Sequence, residues 1–305
     1  MSVLSKPFSS YKGLARRDAM WGYFFIFPSV LGFFLFVLGP LIAVFVFSTQ
    51  SRNLLTGQIT FIGMQNYQDL FTADPLFKKT IANSLVFTAG LVPINVILAL
   101  TLAILLNRQT RAARIFQTIF FGPVVTSAVA WAIVWRFMLQ GEQGVVNQAL
   151  ALIGVNGPNW LFEPNWAMFS VIFTRAIKGV GLNMVIFLSA LANIPEEFTD
   201  AARVDGANDW RIFRNITFPL LAPTTLMVII ITVIGSLKVF DTIVLLTNGG
   251  PSNATTVLVY YIYYQAFKFF ETGYASSLAA ILFLVTLVLT VIQWGLRRKV
   301  VHAEQ

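Results

Sequence analysis

Six segments of this 305-residue chain stay apolar for long enough to cross a hydrocarbon layer, and that feature leaves few folds open. A helix rising about 1.5 Å per residue needs roughly 20 apolar residues to span about 30 Å of hydrocarbon. Runs that meet this condition lie near residues 21–48, 84–107, 115–139, 167–193, 219–246 and 275–296. They are continuous rather than alternating, so they do not read as barrel strands, and bare backbone N–H and C=O groups are too costly in lipid for anything but helices. The expected fold is an all-α integral membrane domain of six transmembrane helices over residues 21–296, with a polar segment 1–20 before it and a basic tail 297–305 after it. Pro28 and Pro40 are expected to bend the first span, because neither can donate to the helical ladder. At 57% hydrophobic and only 11% charged residues, an ordinary soluble domain is excluded.

The chain holds no Cys and a single His, His302 in the polar tail, which excludes disulfides, thiol chemistry and Cys- or His-rich metal sites. Met1 to Met20 contain no apolar core ahead of a small-residue cleavage site, so no cleavable signal peptide is expected. A net charge of +8 in a soluble protein would suggest nucleic acid, but here the cations flank the apolar runs. For an even number of crossings, one side collects thirteen: Lys6, Lys12, Arg16, Arg17, Arg108, Arg111, Arg114, Arg203, Arg211, Arg214, Arg297, Arg298 and Lys299. The other side has four, Arg52, Lys78, Lys79 and Lys268, which predicts both termini in the cytoplasm and no nucleic-acid partner.

Between the fourth and fifth runs, residues 194–218 read as two short helices and a turn. Pro195 suits a first helical position, Glu196 and Glu197 complement the positive helix end, Gly206 permits a left-handed stop, and Asn208 or Asp209 can cap the second helix. Pro219 is expected to break that second helix from the fifth span. Within this segment Asp200-Ala201-Ala202, Gly206, Ile216 and Phe218-Pro219 stand at the spacing Glu-Ala-Ala, three residues, Gly, nine residues, Ile, one residue, Leu-Pro. That pattern resembles the cytoplasmic loop of ABC importer permeases, with Asp200 in place of the usual Glu and Phe218 in place of the usual Leu.

The resemblance implies a type I ABC importer permease fold in the bacterial cytoplasmic membrane. It also implies that the loop is a coupling helix docking in a cleft of an ATPase subunit. Glu196, Glu197, Asp200, Ala201, Ala202, Arg203, Asp205 and Gly206 would then be the ATPase-coupling residues. Ala201 and Ala202 present a low face for close helix approach, and Asp200, Arg203 and Asp205 can form charged contacts around it. The alternative is a merely solvated amphipathic linker. The implied partners are a second homologous permease subunit, two ABC ATPase subunits and an extracytoplasmic solute-binding protein. No cofactor is expected on this chain itself, ATP and Mg being used by the partner ATPase.

Further stretches resemble the carbohydrate-uptake branch of those permeases, the maltose and glycerol-phosphate type. They are Ile62-Gly63-Met64-Gln65-Asn66-Tyr67, and Phe240-Asp241 followed by Leu246-Thr247-Asn248-Gly249-Gly250-Pro251. The short segment 140–166 after the third run favours comparison with the six-span members. Asn248-Gly249-Gly250-Pro251 is a turn signal. The tyrosines 260, 261, 263 and 264, with Phe267, Phe269 and Phe270, form either an interfacial aromatic belt or a surface for a binding protein and its sugar.

Charges inside the membrane are costly and normally face a cavity or a partner. Arg175 and Lys178 lie one turn apart in the fourth run, where snorkelling or pairing with the second subunit competes with substrate contact. Lys238 and Asp241 are spaced to pair along one helix face of the fifth. Family resemblance lines the path partly with these two spans, which makes Lys178, Asn183, Ser236, Lys238 and Asp241 the candidate substrate-pathway residues.

Rival classes fare worse. An ion-coupled secondary transporter needs an ionisable relay, and Asp241 is the one plausible intramembrane acid. A membrane hydrolase needs a His-Glu-x-x-His run or a nucleophile with its base, and neither occurs. No Gly-x-x-x-x-Gly-Lys-Ser/Thr loop is present, so the chain is not expected to be an enzyme. The expected cargo is a neutral sugar or polyol, with glycerol 3-phosphate or an acidic sugar as the runner-up.

Overall fold

The computed structural model describes residues 9–108 and 110–302, so Lys6, with the rest of the first eight residues, and the last three of the tail lie outside the described residues. Three long helices form the frame: α4 (Pro75–Leu106), α8 (Pro164–Ala192) and α15 (Thr272–His302). Among the described residues, four helices are long and apolar enough to cross a membrane, or up to six if each of two sharply bent pairs is one span.

The first span is built from α1 (Ser9–Phe33) and α2 (Gly39–Phe47), joined by a π-helical turn at Phe34–Leu38 in which the Gly39 N–H donates to Phe34 O. Pro40 comes directly after. Without its N–H the regular ladder has a gap there, and the chain absorbs it as one wide turn rather than a break. The same device recurs at Phe213–Thr217, where Phe218 N–H reaches Phe213 O just ahead of Pro219. The expected break at Pro219 therefore falls two residues on, at Leu221, between α11 (Phe218–Leu220) and α12 (Ala222–Leu237), where the axis turns by 64°.

The third run, expected as one helix over 115–139, is two: α5 (Arg111–Val125) and α6 (Ala128–Met138), meeting at 104°. Pro123 within α5 and the extended backbone at Thr126 (ψ 137°) account for the interruption. The fifth run is interrupted too. Helix α12 stops at Leu237, Lys238–Phe240 is non-helical, and α13 (Asp241–Leu246) starts afresh. Lys238 and Asp241 thus do not share a helix face, and the single ion pair within 4.0 Å among the described residues is elsewhere, at Arg203–Asp200. Asp241 instead accepts from its neighbour Thr242, at 2.8 Å from the N–H and 3.2 Å from the hydroxyl.

The core sits where α4 packs along α8. Phe87, Leu91, Val171, Ile172 and Ala176 fill one half, and Ala99, Ala103, Met184 and Phe187 the other, closed by Leu221 and Val228 from the α12 side. Small residues set the spacing: a Cβ at Gly181 would lie 2.2 Å from Phe120 O, so α8 and α5 touch backbone to backbone.

The all-α expectation has one exception, an antiparallel pair of β1 (Gln50–Arg52) and β2 (Ile59–Phe61). Its turn is local chemistry: Asn53 Oδ1 accepts from Leu55 N–H at 2.9 Å and Thr56 N–H at 3.1 Å, and Gly57 takes φ +66°. Short helices α3 (Gln65–Thr72), α7 (Val145–Leu152) and α14 (Leu258–Phe267) complete the connections, with the 194–218 loop at the opposite end.

Candidate functional site

The loop folds as its sequence suggests, with a shift at its start. Helix α9 (Glu196–Val204) begins one residue after Pro195, whose extended backbone (φ −59°, ψ 133°) makes it the cap rather than the first helical residue. Glu196 and Glu197 occupy the first turn and Arg203 the last, each favourable to the helix dipole. Gly206 takes φ +81°, and Gly206 N–H to Arg203 O and Ala207 N–H to Ala202 O satisfy the terminal carbonyls. Asn208 caps α10 (Asp209–Ile212), its Oδ1 accepting from Arg211 N–H at 2.9 Å.

Helix α9 turns polar residues toward its own bundle. Glu196, Thr199, Asp200 and Arg203, at i, i+3, i+4 and i+7, line a water-accessible cleft of about 880 Å³ between α9 and its own bundle. Phe198, Ala201 and Val204 point away from that cleft and are exposed, Val204 at 89%. Asp200 and Arg203 pair with each other at 3.1 Å. The charges and the alanines of this helix stand out in the sequence pattern, whereas Phe198 and Val204 emerge as exposed only in the structure. The i, i+3 and i+6 spacing of Phe198, Ala201 and Val204 was the available signal. Trp210 and Phe218 extend the exposed apolar surface beyond Gly206.

The five pathway candidates occupy three different settings. Asn183 and Ser236 are buried, at 5% and 3%, between helices of this chain. Asn183 Nδ2 donates to Asn95 Oδ1 of α4 and, at 3.1 Å, to Thr232 Oγ1 of α12, while Asn95 Nδ2 donates to Ala176 O at 2.9 Å. One turn further along α12, the hydroxyls of Ser236 and Thr88 lie 2.8 Å apart. These groups form a polar seam clasping α12 to the α4–α8 pair. Lys178 bridges the α5–α6 break: its Nζ donates to Pro123 O at 3.1 Å and Thr126 O at 2.7 Å, the carbonyls freed there. Lys238 is exposed and Asp241 half-buried, flanking the non-helical stretch after α12.

At the end of the molecule opposite α9, Tyr260 and Tyr261 of α14 are core, Tyr263 and Tyr264 are half-buried against it, and Phe267 and Phe269 are exposed. Tyr260 and Tyr261 are 5% and 3% exposed, because each buried hydroxyl has a partner. Tyr260 donates to Asn248 O at 2.8 Å, in the turn where Asn248 and Gly249 take φ +51° and +81°. Tyr261 and Tyr274 both donate to Asp74 Oδ2, at 2.6 and 2.7 Å. Burial alone would raise the Asp74 carboxyl, but these two hydrogen bonds and those from Phe77 and Leu76 N–H outweigh it and hold the group below its ordinary value. Burial first, then the bond to Asp74, push the Tyr261 phenol up.

Four membrane-length helices and two sharply bent helix pairs, with a short amphipathic helix at one end, are the architecture of a membrane-embedded protein. The chain belongs to the binding-protein-dependent transport system inner membrane components, whose family pattern it matches over residues 95–302. It is a multi-pass permease subunit of an ABC importer, a transport component rather than an enzyme. It is 34% identical over 287 residues to the arabinooligosaccharides transport system permease protein AraP of Bacillus subtilis (strain 168), covering 93% of this chain and 90% of that one. It is also 34% identical to the lactose transport system permease protein LacF of Rhizobium radiobacter, over 95% of this chain and 98% of that one. Among solved structures, a chain of a bacterial ABC transporter involved in the import of the acidic polysaccharide alginate superposes with a TM-score of 0.80 at 25% identity, covering 95% of this chain and 98% of that one.

Proposed function

We propose that this chain forms half of the translocation path for a neutral oligosaccharide or related sugar or polyol. In this reading it has six spans with both termini in the cytoplasm, pairs with a second, related permease, and receives cargo from an extracytoplasmic binding protein. Two ABC ATPase subunits drive it, and ATP and Mg are used there. The observation that carries the reading is the outward side of α9, where Phe198, Ala201 and Val204 stand exposed beside Glu197 and Asp205 while Glu196, Thr199, Asp200 and Arg203 line the cleft toward its own subunit. An apolar face left in water calls for a protein cover, and the ATPase cleft is the cover this family provides. The first span supports the second permease, because its most apolar stretch has no buried residue and only its α2 end packs, on α15. Relatives named for arabinooligosaccharides and lactose support the sugar class.

Within the path, Lys238 and Asp241 are the proposed lining groups, set at a helix break of the kind that places polar backbone inside membrane transporters. Asn183 and Ser236 act behind them, holding α12. An acidic sugar or glycerol 3-phosphate is the second reading, favoured by the likeness to the alginate importer. Lys178 is already engaged by Pro123 O and Thr126 O, which leaves Lys238 as the nearer cation for such a ligand.

The test uses reconstituted complexes of matched subunit content. Ala201→Trp blocks close docking by bulk, and Gly206→Val forces a β-branched residue into φ +81°, at a cost of about 1–2 kcal/mol. Both are expected to abolish ligand-stimulated ATP hydrolysis and uptake together. Normal stimulation in both would sink the docking assignment. A thermal-shift screen of the binding protein against neutral and acidic sugars decides the cargo class, and a response to acidic ligands alone overturns the neutral reading.

A further inference from the structure

The docking face explains the outer side of α9 and leaves its inner side unexplained. A helix that rested permanently on its own bundle would turn apolar residues inward. Instead Glu196, Thr199, Asp200 and Arg203 face a water-accessible cleft of about 880 Å³. The wall of that cleft formed by the end of α4 and the start of α5 carries Arg108 and Arg114. Neither guanidinium has a hydrogen-bond or ion-pair partner among the described residues, and neither does the Glu196 carboxylate. Arg114 adds a second oddity. It sits with Arg111 in the first turn of α5, where the helix dipole favours anions, and that turn contains no acidic residue. Cations stand where carboxylates belong, and the carboxylates stand across the gap.

We propose that Arg108 and Arg114 are positioning residues for coupling: when the ATPase drives α9 toward the bundle, Glu196 and Asp200 close on them, and the push passes into α5. The inference rests on the assignment of α9 as the ATPase-docking helix. The exposed Asp200–Arg203 pair is a fit starting point, since a solvated pair at 3.1 Å with side chains 61% and 65% exposed exchanges partners at little cost. Helix α5 is a suitable lever, because its far end is the 104° break whose freed carbonyls Lys178 holds from α8. Thus a contact made at the loop reaches the membrane interior through one rigid helix and one hinge. The cleft could instead receive an anionic lipid headgroup on its arginines, but the carboxylates on the opposite wall would repel one.

Charge exchange separates these readings in the reconstituted full complex. Arg114→Glu and Glu196→Arg, made singly, are each expected to lower the ratio of ligand-stimulated to basal ATP hydrolysis about tenfold, since each replaces an attraction across the cleft by a like-charge repulsion. The two together are expected to restore the ratio to within about twofold of the unaltered complex, and Arg114→Lys to retain it. Because the chain contains no cysteine, Arg114→Cys with Glu196→Cys gives a second readout that does not depend on turnover. Its disulfide yield is expected to rise when the ATPase is trapped closed with nucleotide. Single variants indistinguishable from the unaltered complex, a double variant no better than the singles, or a cross-link yield indifferent to nucleotide would each overturn the inference. A double variant that stays impaired would point to a lipid headgroup on Arg114. Ala201→Trp in the same assay tells which claim has failed. If it abolishes stimulation while the charge variants do nothing, only the clasp is wrong; if it too is silent, the docking assignment falls with it.

Discussion

The two ends of this molecule are built on opposite principles. At the end away from α9, one carboxylate ties three elements: Asp74 Oδ1 caps α4 through Leu76 and Phe77 N–H at 2.8 and 3.0 Å, and its Oδ2 accepts from Tyr261 of α14 and Tyr274 of α15. The hairpin is bound to the same end by Asn53 Nδ2 to Glu271 Oε1 at 2.8 Å and Thr272 hydroxyl to Arg52 O at 3.1 Å. At the other end, the side-chain hydrogen bonds found on α9, Thr199 to Glu196 O and Arg203 to Asp200, both stay within α9. The knotted end is cross-tied between elements, while among the described residues no side-chain hydrogen bond ties α9 to its bundle. Under the proposed coupling role, α9 would take the push and the opposite end would stay fixed.

The sharpest way to break this contrast is to strike the knotted end at its tightest contact. A Cβ at Gly273 would lie 2.0 Å from Gln50 O, and backbone cannot retreat as a flexible side chain does. Gly273→Val is expected to cost about 3 kcal/mol or more, read as loss of the monodisperse peak in detergent size-exclusion chromatography. Asp74→Ala comes next, at about 2–3 kcal/mol, since it removes a helix cap and leaves two phenols without their acceptor. The pH dependence has a definite sign. The folded Asp74 carboxyl lies below its ordinary value of 3.8, so its contribution is complete above that value and is lost as pH falls through the lower folded one. Melting temperature between pH 6 and 3 is expected to drop more for the unaltered protein than for Asp74→Asn; parallel curves would remove Asp74 from its place in the knot. Lys178→Met is smaller, about 1–3 kcal/mol, because two carbonyls at the α5–α6 break lose a charged donor while water or a rotated peptide recovers part of the loss. An unchanged melting temperature in this variant would mean that the break is held by other contacts.

What the sequence disclosed tracks how local each cause is. Membrane-length helices, the stop at Gly206, the cap at Asn208 and the turn at Asn248–Gly249 were legible because each depends on residues within a few positions. The break after Val125 has a local signal in Pro123, but the group that holds it open, Lys178, lies more than fifty residues away and reads in the sequence only as an unexplained charge. The burial of Tyr261 was not legible for the same reason: its partner Asp74 lies at the start of another helix. Asn183 and Ser236 were visible as polar residues in apolar runs, but whether they face a path or a neighbouring helix is decided by Asn95, Thr232 and Thr88. On α9 the residue types were plain and the direction of each face was not, because only the packed bundle says which stripe meets the cleft.

The smallest expected effect sharpens the comparison most. The Asp200–Arg203 pair is an i, i+3 contact with both side chains more than half exposed, so water and salt screen it and its two long side chains lose rotamer freedom in making it. Asp200→Asn is therefore expected to change thermal stability by less than about 0.5 kcal/mol, whereas a single Asp at the other end, Asp74, costs several times that. If α9 were a structural strut, its one ion pair would contribute more than this. If it is a moving part, the same substitution that leaves the melting curve in place should still weaken ligand-stimulated ATP hydrolysis, because Asp200 is one of the two carboxylates facing Arg108 and Arg114. Melting curves and stimulated turnover measured on one preparation separate the two. A stability loss as large as that of Asp74→Ala would show α9 to be fixed to the bundle, and the contrast between the ends would collapse.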